Sequence, residues 1–220
     1  MFIKKLFKNL FPSVIKEYRS RFNGIIRVVM AFNQPRLMIG GMIQSGGLVR
    51  KLWETALAKL SQDKPQINNV LILGLGCGDC AFSVQKYFPQ AQMTGVEIDN
   101  QVIEAARCYF SLATVKNLKI AIADAADYVK NLGREKNAPK FDLVLLDVYL
   151  GKNIPQVFTT KAFFQSLTKI ISHDAVVIYN HLFFKQHKAA AQKLIKQMET
   201  VFGKITLVRT ASNLLIFGWY

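Results

Sequence analysis

From Val70 onward the chain repeats one pattern: a short run of Val, Ile and Leu stops at a glycine or an acid, a stretch with helical spacing follows, and another apolar run begins. A buried strand feeding an amphipathic helix and then a second buried strand can fold only if the helices cover a parallel sheet. The runs predict strands over 70–73, 93–98, 118–123, 141–147, 175–180, 204–208 and 214–218. Helices are predicted over 79–88, 100–111, 125–132, 160–171 and 185–201. No helical stretch separates the last two runs, so they predict an antiparallel hairpin at a sheet edge. The expected fold is α/β: a doubly wound, mostly parallel seven-stranded sheet whose last strand is antiparallel.

Ligands of such a sheet bind beyond the carboxyl ends of its strands, so the residues at those ends are the informative ones. The first strand runs into Gly74-Leu75-Gly76-Cys77-Gly78-Asp79. Its glycines allow a tight turn and close backbone approach to a ligand. The third glycine comes one residue too early for a dinucleotide fingerprint. The second strand ends in Val96-Glu97-Ile98-Asp99, where the Glu97 carboxylate can accept from vicinal ribose hydroxyls and Asp99 can cap the next helix. The third ends in Ala123-Asp124-Ala125; Asp124 suits either an adenine amino group or a helix cap. The fourth, strongly apolar, closes on Asp147 and continues Val148-Tyr149-Leu150-Gly151. A carboxylate there faces the cleft, where burial raises its pKa toward that of a useful base.

Charge and cysteine content bound the rest. The chain has 220 residues and a formal net charge of +15, and its basic residues gather at the two ends. Ten of them precede Glu54 against one acid, Glu17. Such a field attracts anions, whether lipid headgroups, nucleic acid or an acidic substrate. No nucleic-acid-binding motif accompanies the charge, so nucleic acid is not the favoured partner. Cys77, Cys80 and Cys108 are an odd set that forms no closed disulfide framework, and a cytoplasmic location is expected. A zinc site on Cys77-x-x-Cys80 would need two more ligands, and His173, His181 and His187 lack the spacing, so no metal is expected.

Residues 1–17 place Phe2, Ile3, Leu6, Phe7 and Leu10 at helical spacing opposite Lys4, Lys5 and Lys8, with Pro12 as a break. This predicts a basic amphipathic helix, packed on the domain or laid by residues 1–16 on an anionic membrane surface. Residues 18–47 carry β-branched runs around Asn33-Gln34-Pro35 and predict a short β-hairpin region. Residues 48–220 then form the main domain.

The combination of G-x-G-x-G, V-E-I-D, A-D-A and L-L-D resembles the S-adenosylmethionine-dependent methyltransferase superfamily, and within it the spermidine synthase (aminopropyltransferase) branch. Ser20-Arg21-Phe22-Asn23-Gly24, Leu37-Met38-Ile39-Gly40-Gly41-Met42-Ile43-Gln44 and Phe158-Thr159-Thr160 carry the closer likeness, which covers residues 18–218. The resemblance implies a Rossmann-like methyltransferase sheet. It also implies an S-adenosylmethionine site, or one for the decarboxylated form, built from Asn23, Gln44, Gly74, Gly76, Cys77, Gly78, Asp79, Glu97, Ile98, Asp124 and Ala125. Asp147 matches the family's catalytic acid, with Tyr149 beside the acceptor. Relatives often form homo-oligomers.

The departures from that pattern bear on the reaction. The family's glycine loop carries an acid for the cationic end of its ligand where this chain has Cys77, although Asp79 follows two residues later. The family's second acid after the fourth strand is replaced by Leu150, and its Tyr-x-Glu segment reads Leu52-Trp53-Glu54. A polyamine needs carboxylates along its channel to offset desolvation of its ammonium groups. The expectation is therefore a spermidine synthase-like methyltransferase acting on an uncharged or anionic small-molecule acceptor. The alternatives are a divergent polyamine aminopropyltransferase and a non-catalytic relative that binds ligand or membrane.

Overall fold

A computed structural model describes residues 12–64, 66–151, 153–185 and 187–220. Two sheets make up the protein. The first is an antiparallel meander of β1 (Ser13–Ser20), β2 (Gly24–Ala31), β3 (Gln34–Ile39) and β4 (Met42–Ser45), in spatial order 1-2-3-4. Its two inner turns are tight: Phe32 and Asn33 both take positive φ between β2 and β3, as do Gly40 and Gly41 between β3 and β4. That is the hairpin geometry whose twist matches the flanking strands. Pro35 is tolerated in β3 because it pairs with Met30 beyond the reach of β4, where no second neighbour needs its missing N–H.

After helix α1 (Gly47–Asp63) come β5 (Asn69–Leu73), α2 (Asp79–Tyr87), β6 (Gln92–Glu97), α3 (Asn100–Tyr109), β7 (Leu118–Ile122), α4 (Ala125–Leu132), β8 (Phe141–Leu146), α5 (Lys161–Thr168), β9 (Ile171–Leu182), α6 (His187–Glu199), β10 (Lys204–Arg209) and β11 (Asn213–Trp219). The seven strands lie in the order β10-β11-β9-β8-β5-β6-β7. β11 enters antiparallel between β9 and β10, and the other strands all run one way. The order reverses at β5, so a crevice opens beyond the ends of β5, β6 and β8.

The two-residue period of the strands sorts the core into two layers. Val70, Ile72, Leu143, Leu145, Val176 and Ile178 face α1, α2, α3 and the small sheet, with Trp53, Leu57, Ile26 and Leu37 packed against them. Leu71, Leu73, Val144, Leu146, Val177 and Tyr179 face the other way, toward Val129, Phe164, Leu194 and Met198 of α4, α5 and α6. The small sheet is therefore part of the main core and forms a wall over the crevice.

Two expectations need correction. The amphipathic helix was expected to run to residue 17, but Ser13–Ser20 is a strand, paired with β2 from Ser13↔Met30 to Ser20↔Gly24. Pro12 disfavours a helix that continues through it, and β-branched Val14 and Ile15 favour the extended chain that follows. Residues 1–11, which carry most of the expected helix, lie outside the described residues. The hairpin region expected at 18–47 begins five residues earlier and holds four strands. Among the described residues, no helix is long and apolar enough to cross a membrane.

Candidate active site

The glycine turn and the fourth-strand acid are built against each other. Gly74 leaves β5 with φ +84°, and a Cβ placed there would lie 2.3 Å from the Asp147 carbonyl oxygen. Only glycine lets the ends of β5 and β8 come this close. Gly76, also at positive φ, donates its N–H to Glu97 Oε2 at 2.9 Å, and the Asp99 N–H donates to Glu97 Oε1 at 3.1 Å. Burial pushes the Glu97 carboxyl up, and the backbone N–H groups of Gly76, Asp99 and Ile98 partly offset it. Each oxygen keeps a lone pair for a hydroxyl.

Around this turn lies an inner cavity of about 110 Å³, lined among others by Asn23, Gln44, Gly74, Gly76, Asp79 and Glu97. Ile98, Asp124, Ala125, Asp147 and Tyr149 continue its wall. Eleven of the thirteen residues proposed from sequence thus meet at one cavity. Cys77 and Gly78 do not line it. Cys77 is buried in the core with its N–H on Ser45 Oγ at 3.2 Å, and burial pushes its thiol far up, so it is a neutral packing residue. Gly78 lies under Leu112, where a Cβ would meet the Leu112 Cδ1 at 2.5 Å. The turn uses the space that a ligand-facing side chain at these positions would need.

Asp79 is committed elsewhere in part. Its Oδ2 accepts from the Gly46 N–H at 2.9 Å, and its Oδ1 faces the Arg50 Nε at 3.3 Å. Burial raises its carboxyl, and the Gly46 N–H and the Arg50 charge oppose that rise. This contact ties α1 and the end of β4 to the glycine turn. Asp124 caps α4, with Oδ1 accepting from the N–H groups of Ala126 and Asp127 at 2.8 and 3.0 Å. It still lines the cavity, so the cap and ligand readings are compatible.

Asn23 reaches the cavity from the turn after β1. Its Nδ2 donates to Asp99 Oδ2 at 2.7 Å, which fixes the amide orientation because a carboxylate offers no donor. Asn23 Oδ1 is left buried without a partner. Asp99 also accepts from Ser20 Oγ and caps α3 through the Gln101 N–H. Asn23 is thus a lining residue of the cavity with one buried acceptor still to be satisfied.

Asp147 stands on the wall between this cavity and a second, outer one of about 480 Å³. Trp53 Nε1 donates to its Oδ2 at 3.0 Å and Asn180 Nδ2 to its Oδ1 at 2.8 Å. Behind Asn180, Asn213 Nδ2 donates to Asn180 Oδ1 at 2.8 Å, and Ser212 Oγ donates to Asn213 Oδ1 at 2.7 Å. Burial lifts the Asp147 carboxyl from 3.8 to about 6, against the opposing pull of Trp53 and Asn180. No cation touches it among the described residues. It is ionised at neutral pH yet weakly stabilised, which suits a general base.

Tyr149 lines both cavities, and its hydroxyl proton is committed to the backbone. It donates to the Asn180 carbonyl at 3.2 Å and accepts from the Leu182 N–H at 3.0 Å. Burial pushes its ionisation far up, so it offers shape to the site and no proton. Sequence reasoning missed Trp53, Asn180, Asn213, Ser45 and Asp99 as parts of the site. Asn180 closes the apolar run expected over 175–180, the same signal that pointed to Glu97, Asp124 and Asp147; Trp53 lies in the Leu52-Trp53-Glu54 segment, where nothing marked its indole as a partner of Asp147.

Comparison with known proteins places the chain among proteins of one family and fold. The chain is 33% identical over 117 residues to the eEF1A lysine and N-terminal methyltransferase of Mus musculus, covering 50% of this chain and 17% of that protein. It is 31% identical over 116 residues to the polyamine aminopropyltransferase of Vibrio vulnificus, covering 53% of this chain and 38% of that one. The chain thus spans less than half the length of either. Among solved structures, a spermidine synthase in complex with the transition state analogue AdoDATO superposes with a TM-score of 0.78 at 20% identity, covering 94% of this chain and 73% of that one. Human methyltransferase-like protein 13 in complex with SAH gives a TM-score of 0.65 at 24% identity, covering 77% and 80%. Residues 55–218 match the spermine/spermidine synthase domain, and the chain belongs to that family, whose similar proteins include both methyltransferases and aminopropyltransferases.

Proposed function

We propose that the protein is an S-adenosylmethionine-dependent methyltransferase acting on an uncharged or anionic acceptor. The observation that carries this reading is the place of Asp147, on the wall shared by the inner cavity, which Glu97 and Asp124 also line, and the larger outer cavity. The inner residues fit the cofactor: Glu97 for the ribose hydroxyls, Asn23 Oδ1 for a further hydroxyl donor, Asp124 for the adenine amine. Bound S-adenosylmethionine would supply an electrophilic methyl group to the acceptor, with the electron pair of the broken S–C bond left on sulfur. Asp147 takes the acceptor's proton and passes it to solvent, while Trp53 and Asn180 hold both carboxylate oxygens in place. Charge is lost at sulfur in this step, so a site without added carboxylates favours it.

Methyl transfer is preferred over aminopropyl transfer because the carboxylates a polyamine requires are missing. Position 77 is a buried neutral thiol, position 150 is Leu, and Asp79 already faces Arg50. The aminopropyl alternative rests on the similarity to polyamine aminopropyltransferases. A thermal-shift series with S-adenosylmethionine, its decarboxylated form, S-adenosylhomocysteine, methylthioadenosine and NAD separates the two. Stabilisation by S-adenosylmethionine and S-adenosylhomocysteine above the decarboxylated form is expected; the reverse order, with methylthioadenosine released in the presence of putrescine, refutes methyl transfer.

A further inference from the structure

The outer cavity has its own chemistry. Met42 and Ile43 of β4, Leu48 and Leu52 of α1, Leu182 at the end of β9 and Phe184 beyond it give it apolar walls. Three of these are open to solvent at its mouth: Leu48 is 74% exposed, Ile43 39% and Phe184 36%. Its volume of about 480 Å³ lies within the range of roughly 300–1,000 Å³ typical of small-molecule sites. Among the described residues on its wall two are charged, Asp147, which it shares with the inner cavity, and the exposed Lys51. Lys51 is exposed and makes no ion pair with any described residue. Hydroxyl and amide groups of Thr55, Thr210 and Asn213 fill the remaining rim.

Transfer of an ammonium group into such walls costs more than one carboxylate repays, and Lys51 repels it further. An apolar body gains by covering Leu48, Ile43 and Phe184, which otherwise form an exposed hydrophobic mouth. We propose that this cavity is the acceptor site and that it takes a hydrophobic small molecule carrying one anionic group, with the anion against Lys51 and the methyl-accepting O–H or N–H directed to Asp147. This deepens the methyltransferase reading and rests on it for the role of Asp147, but the binding chemistry stands on the cavity alone.

The test titrates two fluorescent probes into the full-chain protein, with and without S-adenosylhomocysteine. 8-Anilinonaphthalene-1-sulfonate carries an apolar body and one anion; dansylamide is apolar and uncharged. Both are expected to bind saturably at one site. Lys51→Glu should weaken the sulfonate by about tenfold and dansylamide by less than about twofold, since only the first loses a charge contact. Leu48→Glu, at an exposed position that folding tolerates, should weaken both. Thermal unfolding of each variant near the wild-type midpoint shows that the fold is intact. Unchanged sulfonate binding in both variants, or displacement of the sulfonate by putrescine more readily than by decanoate, overturns the proposal. If the probes behave as expected while S-adenosylhomocysteine neither binds nor stabilises, the acceptor chemistry holds and the methyltransferase reading falls.

Discussion

Asp147→Asn isolates the cost of keeping a base in this site. The carboxyl titrates at 3.8 in an unfolded chain and at about 6 in the folded one. Below pH 3.8 both states are protonated and the group contributes nothing. Between 3.8 and 6 the unfolded chain releases its proton while the folded chain keeps it, so stability falls as pH rises, and above 6 the loss is complete. The shift is roughly 2 units at about 1.36 kcal/mol per unit, or about 3 kcal/mol. For a chain of this size that corresponds to a midpoint difference of roughly 6–12 °C. Asparagine cannot ionise and escapes this loss. It presents one acceptor where the carboxylate presented two, but Asn180 and Asn213 can turn over and Ser212 can rotate to reverse the chain behind it. Any residual mismatch is independent of pH. The expected result is therefore a wild-type minus variant stability difference that drifts in the variant's favour from pH 4 to pH 6 and is flat from pH 6.5 to 8, measured by urea unfolding. A difference that does not change with pH refutes the claim that Asp147 is held ionised against its burial. Titrations elsewhere, such as the buried His181, occur in both proteins and cancel.

Other consequences follow from the same contacts. Methyl transfer per unit of substrate, kcat/KM, should rise through pH about 6 and level off, and Asp147→Asn should lose about 10²–10⁴-fold. Trp53→Phe removes a donor to the ionised form, so the acidic limb of that pH–rate profile should move to higher pH; an unmoved limb shows that the indole contact does not tune the base. Tyr149→Phe leaves the Leu182 N–H and the Asn180 carbonyl short of a partner and should cost about 1–3 kcal/mol in denaturant unfolding, with kcat reduced far less than by Asp147→Asn. Asp124→Ala should lose about 1 kcal/mol of helix capping, read by thermal unfolding, and in addition weaken S-adenosylhomocysteine in calorimetric titration; Asp124→Asn should restore the cap.

Much of the inner cavity was legible because a parallel sheet fixes where strand ends go. Once the runs over 70–73, 93–98, 118–123 and 141–147 are assigned to one sheet, Gly74, Glu97, Asp124 and Asp147 must converge at its carboxyl edge, whatever the rest of the chain does. Side-chain direction is not fixed in the same way. Cys77 and Gly78 lie in the turn itself, and whether a turn residue points at ligand or core depends on φ values and neighbours such as Leu112 that no periodicity reports. Residues 13–17 were assigned to the helix although Pro12 was read as its break, because the pairing of Ser13–Ser20 with β2 is a long-range fact that local spacing does not report.

The outer cavity was illegible for a related reason, and that reason bears on function. Its walls come from β4, α1, the segment after β9 and the turn between β10 and β11, four places that only tertiary packing brings together. Asp147 meets them through Trp53 and through Asn180, Asn213 and Ser212, none of which carries charge. The nucleoside side of the site is built from backbone N–H groups and carboxylates set by the sheet, so it tolerates little change without loss of the fold: a Cβ at Gly74 alone collides with the Asp147 carbonyl. The acceptor side is built from side chains on a sheet and helix laid over that frame, and substitutions there cost little stability. A buried thiol at position 77 and a leucine at position 150 are changes that such a frame can carry, because neither touches the backbone contacts that join Gly74, Glu97 and Asp147.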